Sequence, residues 1–134
     1  MNYSPGFCQN LNINYLKNVN NMIHIKRLQE DGTDVIALIG EIDASSSIHL
    51  DESISEATQR HKKILINCTE LEYISSAGLG VFMSYINELE DKKIRMVIFG
   101  LSDKVRHVFQ ILGLDQLLKI TETEEQAKQL VNGI

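Results

Sequence analysis

The sequence contains no tryptophan, one proline and only two cysteines among its 134 residues. Cys8 and Cys68 lie far apart and form neither a CxxC motif nor a Cys/His ligand pattern, which predicts two reduced thiols rather than a disulfide framework. No apolar run reaches the roughly 18 residues that a membrane helix requires, and no basic-then-apolar signal segment begins the chain. We therefore expect a cytoplasmic protein without direct membrane insertion.

Basic residues are also scarce, because 13 Lys and Arg stand against 18 Asp and Glu, for a formal net charge of -5. This balance disfavours duplex nucleic acid and anionic membrane surfaces as partners, since both attract basic faces. The motifs of dinucleotide, P-loop, zinc-hydrolase and α/β-hydrolase sites are missing as well. We expect no catalytic residues, no metal and no cofactor.

The first 21 residues differ in composition from the rest. Residues 1–21 contain seven asparagines, the only proline and a single charged residue, Lys17. Asparagine favours turns and caps over regular elements, so the composition predicts a flexible or loosely docked N-terminal extension, followed by one domain at 22–134. The stretch from Leu11 to Tyr15 alternates apolar and polar residues, which is also compatible with a short extra strand.

From residue 22 onward the sequence alternates between strand and helix patterns. Residues 22–29 alternate like a half-exposed strand, Asp31-Gly32 is a hairpin signal, and the continuous apolar run at 35–39 is typical of a strand buried on both faces. Gly40 to Ala44 is then expected to leave this strand as a loop. The order ββαβαβαβα predicts an α/β fold, with a small, mixed and mostly parallel sheet flanked by about four helices.

The boundaries of the other elements follow from caps and periodicity. Ser45, Ser46 and Ser47 offer N-caps for a helix that ends at about Arg60. The remaining predicted elements are strands at 64–66, 95–99 and 117–121, an amphipathic helix up to about residue 90, a helix at 103–112 capped by Ser102 and ended by Gly113, and a last helix capped by Thr123 with Gln126 in a capping box.

Two serines followed by two glycines open the amphipathic helix before residue 90. A serine at this position can simply cap the helix, by accepting a hydrogen bond from an orphan backbone N–H, which contributes on the order of 1 kcal/mol. The same position also suits a phosphoryl group, because a helix N-terminus offers free N–H donors and partial positive charge. Gly78 has no side chain, so it would let another chain approach closely.

Three segments in this order resemble the STAS domain family, specifically the bacterial anti-sigma factor antagonists. They are Gly40-Glu41-Ile42-Asp43-Ala44-Ser45, Ser75-Ser76-Ala77-Gly78-Leu79-Gly80 and the run from Val108 to Leu114. The resemblance implies a phosphorylation-switched protein that binds an anti-sigma factor serine kinase and is restored by a metal-dependent serine phosphatase. It implies Ser76 as the acceptor, beside Glu41 and Asp43. It also implies a partner-binding surface that includes Ser75, Gly78 and Leu79.

The chain departs from the family where an aspartate often precedes the acceptor serine. Ser75 stands there, so Ser75 stays open as a second acceptor. The same departure from the family pattern leaves open a second function, in which the protein is a STAS binding subunit of a lipid-transport or sensory complex and works without phosphorylation. An enzyme with a serine nucleophile is disfavoured, because no motif places a general base beside Ser76.

Overall fold

The computed structural model of the chain describes residues 23–133. The predictions for residues 1–21, including the strand near Leu11 and the thiol of Cys8, lie outside the described residues. The described strands are β1 (Ile23–Glu30), β2 (Thr33–Ile42), β3 (Lys63–Ile74), β4 (Arg95–Phe99) and β5 (Lys119–Thr121). The described helices are α1 (Ser47–Arg60), α2 (Ser76–Ser84), α3 (Ile86–Asp91), α4 (Asp103–Ile111), α5 (Leu114–Leu117) and α6 (Glu124–Val131).

All five strands form one sheet in the order β1-β2-β3-β4-β5. β1 pairs with β2 in antiparallel orientation, and every other neighbouring pair is parallel. Helices α1 to α5 pack on one face, where they and the sheet form the main hydrophobic core, and α6 packs on the opposite face over a smaller apolar cluster. The predicted α/β fold with a mixed, mostly parallel sheet is confirmed.

Several turn and cap predictions are confirmed at the level of single residues. Asp31 and Gly32 have φ values of 49° and 81°, as the two central residues of a type I′ hairpin require. The Ser102 hydroxyl accepts the Val105 N–H at 3.2 Å. Gly113 ends its helix in the left-handed region, and Thr123 forms the predicted capping box.

The prediction that Gly40 to Ala44 form a loop is wrong for the first three residues. β2 continues through Ile42, because β3 also continues well past the predicted 64–66 and reaches Ile74, which is the partner of Ile42 in the ladder. The polar residues in the second half of β3 hid this extension, since their side chains face solvent rather than core. The longer strand pair places the loop after Ile42 at the carboxyl ends of β2 and β3.

The predicted long helix before residue 90 is broken at Tyr85 into α2 and α3. Tyr85 is buried, and its hydroxyl donates to the Asp51 carboxylate at 2.7 Å, so a contact with α1 holds the residue at the break. The single turn α5 was not predicted either, which gives six helices in residues 23–133 rather than about four.

The prediction that residues 35–39 are buried on both faces is wrong for part of one face. Ile36 and Leu38 are fully buried in the main core, and Val35 is buried on the opposite face, in the cluster beneath α6. Ala37 and Ile39 share that opposite face and are only half-buried among the described residues. The reason is that α6 packs mainly against β3, β4 and β5 and leaves the β1–β2 half of that face open.

Candidate functional site

The two serines that open α2 have different positions and different surroundings. Ser75 is the N-cap, with extended backbone, and its hydroxyl accepts the Gly78 N–H at 3.2 Å. Ser76 is the first helical residue and is exposed. The capping role therefore belongs to Ser75. Within residues 23–133 the Ser76 hydroxyl has no such capping bond and lies at a helix N-terminus with no acidic residue in its first turn.

Asp43 is held in one orientation by the serines that follow it. Its Oδ1 accepts the Ser46 N–H at 2.8 Å and the hydroxyls of Ser45 and Ser46, both at 2.9 Å. The backbone N–H of Asp43 in turn donates to the Ser46 hydroxyl at 2.9 Å. These bonds, the Ser46 N–H first among them, hold the pKa of Asp43 below its usual value, because they favour the charged form. Asp43 is therefore a fixed negative charge at neutral pH.

The end of the β2–β3 ladder brings the two segments together. Ile42 pairs with Ile74, and the Ser75 N–H donates to the Ile42 carbonyl at 2.8 Å. The residue after Ile42 is Asp43, so the acidic loop and the start of α2 leave the sheet side by side. Ile42 and Ser75 thus lie side by side where the two strands end, and one binding surface made of Glu41, Asp43 and Ser76 remains a prediction. Glu41 itself is half-exposed and pairs with Tyr73 on the neighbouring strand.

The structure buries Gly78 and Leu79, although the resemblance implied that both belong to the partner-binding surface. Leu79 is 2% exposed and belongs to the main core. Gly78 is also buried, and a Cβ atom placed on it would lie 2.7 Å from Cγ1 of Ile74 and 2.9 Å from Cγ2 of Ile42. Its missing side chain lets α2 approach its own sheet, at Ile42 and Ile74, rather than another chain.

The end of β3 and the helices α1 and α2 also carry exposed apolar side chains that the sequence did not single out. Met83, two turns along α2, is 48% exposed, Tyr73 next to Glu41 is 43% exposed, and Ile48 at the start of α1 is 56% exposed. Exposed apolar groups at a polar rim are typical of protein-binding surfaces. The role of Ser46 was missed too, although an Asp followed three residues later by Ser before a helix is itself a signal of capping.

The arrangement suits a reversible change of charge at a surface. A helix N-terminus is able to accommodate an added phosphoryl group, and the lowered pKa of Asp43 keeps a negative charge in the loop after β2. Among residues 23–133, no helix has both the length and the apolar character that crossing a bilayer requires.

Residues 24–127 match the STAS domain family. The chain is 34% identical over 107 residues to the anti-sigma-B factor antagonist of Listeria monocytogenes, which covers 79% of this chain and 93% of that relative. The structure of the anti-sigma factor antagonist SpoIIAA in its unphosphorylated form is 29% identical, with a TM-score of 0.64, and covers 84% of this chain and 99% of SpoIIAA. SpoIIAA from Bacillus has also been solved in the phosphorylated form.

An anti-sigma factor antagonist from Mycobacterium paratuberculosis has the same fold, with a TM-score of 0.75 at 21% identity, over 82% of this chain and 94% of that one. The family match covers the sheet except Ile23, the first residue of β1, and every helix up to the middle of α6. This chain is a member of the STAS domain family.

Proposed function

We propose that this protein is an anti-sigma factor antagonist that phosphorylation of Ser76 switches off. In the unmodified state it binds a serine kinase that is also the anti-sigma factor, and so frees the sigma factor for transcription. A metal-dependent serine phosphatase restores the unmodified state. The protein acts by binding, in the cytoplasm, and not by catalysis. The relatives named anti-sigma-B factor antagonists favour this function over a subunit of a transport or sensory assembly.

The single observation that carries the proposal is the position of Ser76. It is exposed, it is the first residue of α2, and it follows the capping Ser75, which already satisfies the Gly78 N–H. A hydroxyl in this position is accessible to a kinase. A phosphoryl group transferred to it would lie at the positive end of the helix dipole. The modified chain therefore stays folded. The helix that the phosphate adjoins does not lose its cap, because the cap is a different residue.

The switch follows from the charges next to Ser76. A phosphoryl group adds about -1.5 to -2 charges at neutral pH, beside the fixed carboxylate of Asp43 and the half-exposed Glu41. A partner that fits the neutral hydroxyl must then desolvate a dianion in an already negative surface. A coupling free energy of about 1–3 kcal/mol would change the affinity about 5- to 150-fold, which is sufficient for a regulatory decision.

Adjacent serine variants test the acceptor. The purified chain is incubated with ATP and the serine kinase that binds it, and phosphopeptides are mapped by mass spectrometry. We expect Ser76→Ala to abolish labelling, whereas the control Ser75→Ala keeps the label on Ser76 and loses only the stabilisation of the cap, about 1 kcal/mol. Label on Ser75 in the unaltered chain, or full labelling of Ser76→Ala, would show that the acceptor is wrong.

Binding measurements on a second pair of variants test the electrostatic argument. Ser76→Asp should bind the kinase more weakly than the unmodified chain, while Ser76→Asn, which has the same shape without the charge, should bind with near-normal affinity. Asp43→Asn keeps an acceptor for the Ser46 N–H and removes the charge, so the affinity difference between unmodified and phosphorylated chains should shrink. An unchanged difference in that variant would contradict a role for Asp43 in the switch.

A further inference from the structure

An apolar groove lies at the amino ends of β4 and β5. It is bounded by α3, by α5 and by the first residues of the two strands, and its volume is about 210 Å³. Its apolar lining residues are Ile86, Leu89, Ile94, Met96, Leu117 and Leu118. Arg95 and Lys119 begin β4 and β5, whereas Ser76 follows the carboxyl end of β3. Because these three strands are parallel, the groove and Ser76 lie at opposite ends of the sheet.

A large apolar side chain stands exposed at the rim of this groove. Leu117, the last residue of α5, is 58% exposed, although the lining residues Leu89 and Leu118 are buried. Two more exposed apolar side chains, Ile111 and Leu112, lie shortly before α5 in the chain, and Ile111 is 67% exposed. Exposed apolar side chains next to an apolar groove are typical of a surface that another protein covers.

The rim also carries one charge of each sign. Glu90 on α3 and Lys119 at the start of β5 both line the groove, and both are exposed. Neither side chain forms an ion pair within residues 23–133. The Arg95 guanidinium, by contrast, donates to the Val131 carbonyl at 3.4 Å. Glu90 and Lys119 are therefore the two charges that an approaching partner meets at this rim.

A second copy of the chain fits the groove, the exposed leucine and the two charges together. In a two-fold contact the same patch meets itself, so an acid and a base on one rim each face the opposite charge on the other. A partner of a single charge sign would instead meet one like charge. The groove is smaller than the roughly 300–1,000 Å³ of ordinary small-molecule sites and far too small for a helix, but it has room for a leucine side chain.

We propose that this surface is a homodimer interface, in which Leu117 of each protomer enters the groove of its partner and Glu90 of each pairs with Lys119 of the other. Burial of the two leucines is the driving force, and the charge pairs set the orientation of the protomers. The proposal does not rest on the phosphorylation switch, because Ser76 lies at the other end of the sheet and stays accessible in the dimer. Its test needs neither the kinase nor ATP.

Sedimentation equilibrium of the full-length chain tests the interface, in reducing buffer so that Cys8 forms no cross-link. Over about 5–200 μM we expect a reversible change from a monomer of 15.2 kDa to a dimer. Leu117→Asp should weaken the association at least about tenfold. The matched control is Leu28→Asp, since Leu28 is 56% exposed on β1, at the opposite edge of the sheet, and this variant should associate normally. If circular dichroism shows that Leu117→Asp is unfolded, Leu117→Gln takes its place.

Charge reversal tests the orientation of the two protomers. Glu90→Lys and Lys119→Glu should each weaken the dimer, because each places like charges opposite one another, and the double variant should restore it. A chain that stays monomeric over the whole concentration range overturns the proposal, and so does undiminished association of Leu117→Asp. A double variant that associates no better than the single variants overturns it as well. Growth beyond the dimer would also overturn it, because a two-fold contact closes at two copies.

Discussion

The same substitution at two glycines of α2 should have opposite effects on stability. Gly78 and Gly80 both lie in the helix, so replacing either with alanine removes backbone entropy from the unfolded chain and contributes about 0.5–1 kcal/mol of stabilisation. A Cβ atom at Gly80 has nothing within 4 Å, whereas a Cβ atom at Gly78 lies 2.7 Å from Ile74 and 2.9 Å from Ile42. Both isoleucines are buried, at 4% and 0% exposure, so they must shift.

The difference between the two variants isolates the cost of that shift. Overpacking a filled core by one methyl group costs about 1–3 kcal/mol, and the helix-propensity gain is common to both variants and cancels in the comparison. We therefore expect Gly80→Ala to raise the free energy of unfolding by about 0.5–1 kcal/mol, while Gly78→Ala lowers it by about 1–2 kcal/mol.

Urea unfolding followed by circular dichroism measures both values, provided that the slopes with denaturant agree. A stability gain in Gly78→Ala equal to that in Gly80→Ala would refute the close approach of α2 to β2 and β3 through Gly78. A loss of stability in Gly80→Ala would instead refute the expected gain in helix propensity.

Three further predictions concern single contacts. The buried carboxylate of Asp34 accepts two bonds from the Arg27 guanidinium, at 2.5 and 3.4 Å, so Asp34→Asn should lower the free energy of unfolding by about 2 kcal/mol in urea titrations. Thr123→Ala removes the capping box with Gln126 and should cost about 1 kcal/mol in the same assay. Because folding lowers the pKa of Asp43, its contribution is present above the unfolded pKa and is lost as the pH falls through the folded value. Below about pH 3.8, the midpoint temperature of thermal unfolding should therefore fall less steeply with pH for Asp43→Asn than for the unaltered chain. Equal slopes of midpoint temperature against pH in the two proteins would contradict this.

Features that depend on neighbours in sequence were predictable residue by residue. The hairpin at Asp31-Gly32, the caps at Ser102 and Thr123 and the helix end at Gly113 all rest on contacts between residues within four positions of one another. The start of a helix at Ser76 belongs to the same class. Hydrophobic periodicity added the order of strands and helices, and hence a mixed sheet flanked by helices.

The resemblance of three short segments to the STAS family implied Ser76, Glu41 and Asp43 as site residues. It did not assign the side chains that support them. Gly78 and Leu79 belong to the core rather than to the surface, and Ser45 and Ser46 are the residues that fix Asp43. The burial of a glycine depends on which strands lie under its helix, and no local pattern encodes that.

Local sequence thus decided the turns, the caps and the two serines at the head of a helix, because those interactions close within one or two turns of the chain. Only the tertiary structure decided how far β2 and β3 extend, since each strand continues only while its partner offers backbone groups to pair with. That pairing places Ile42 opposite Ile74, so the loop that begins at Asp43 and the cap of α2 at Ser75 leave the sheet at the same point. It also leaves the two-sided apolar run of β2 with one face partly uncovered in residues 23–133, because the position of α6 depends on β3, β4 and β5 rather than on β2 itself.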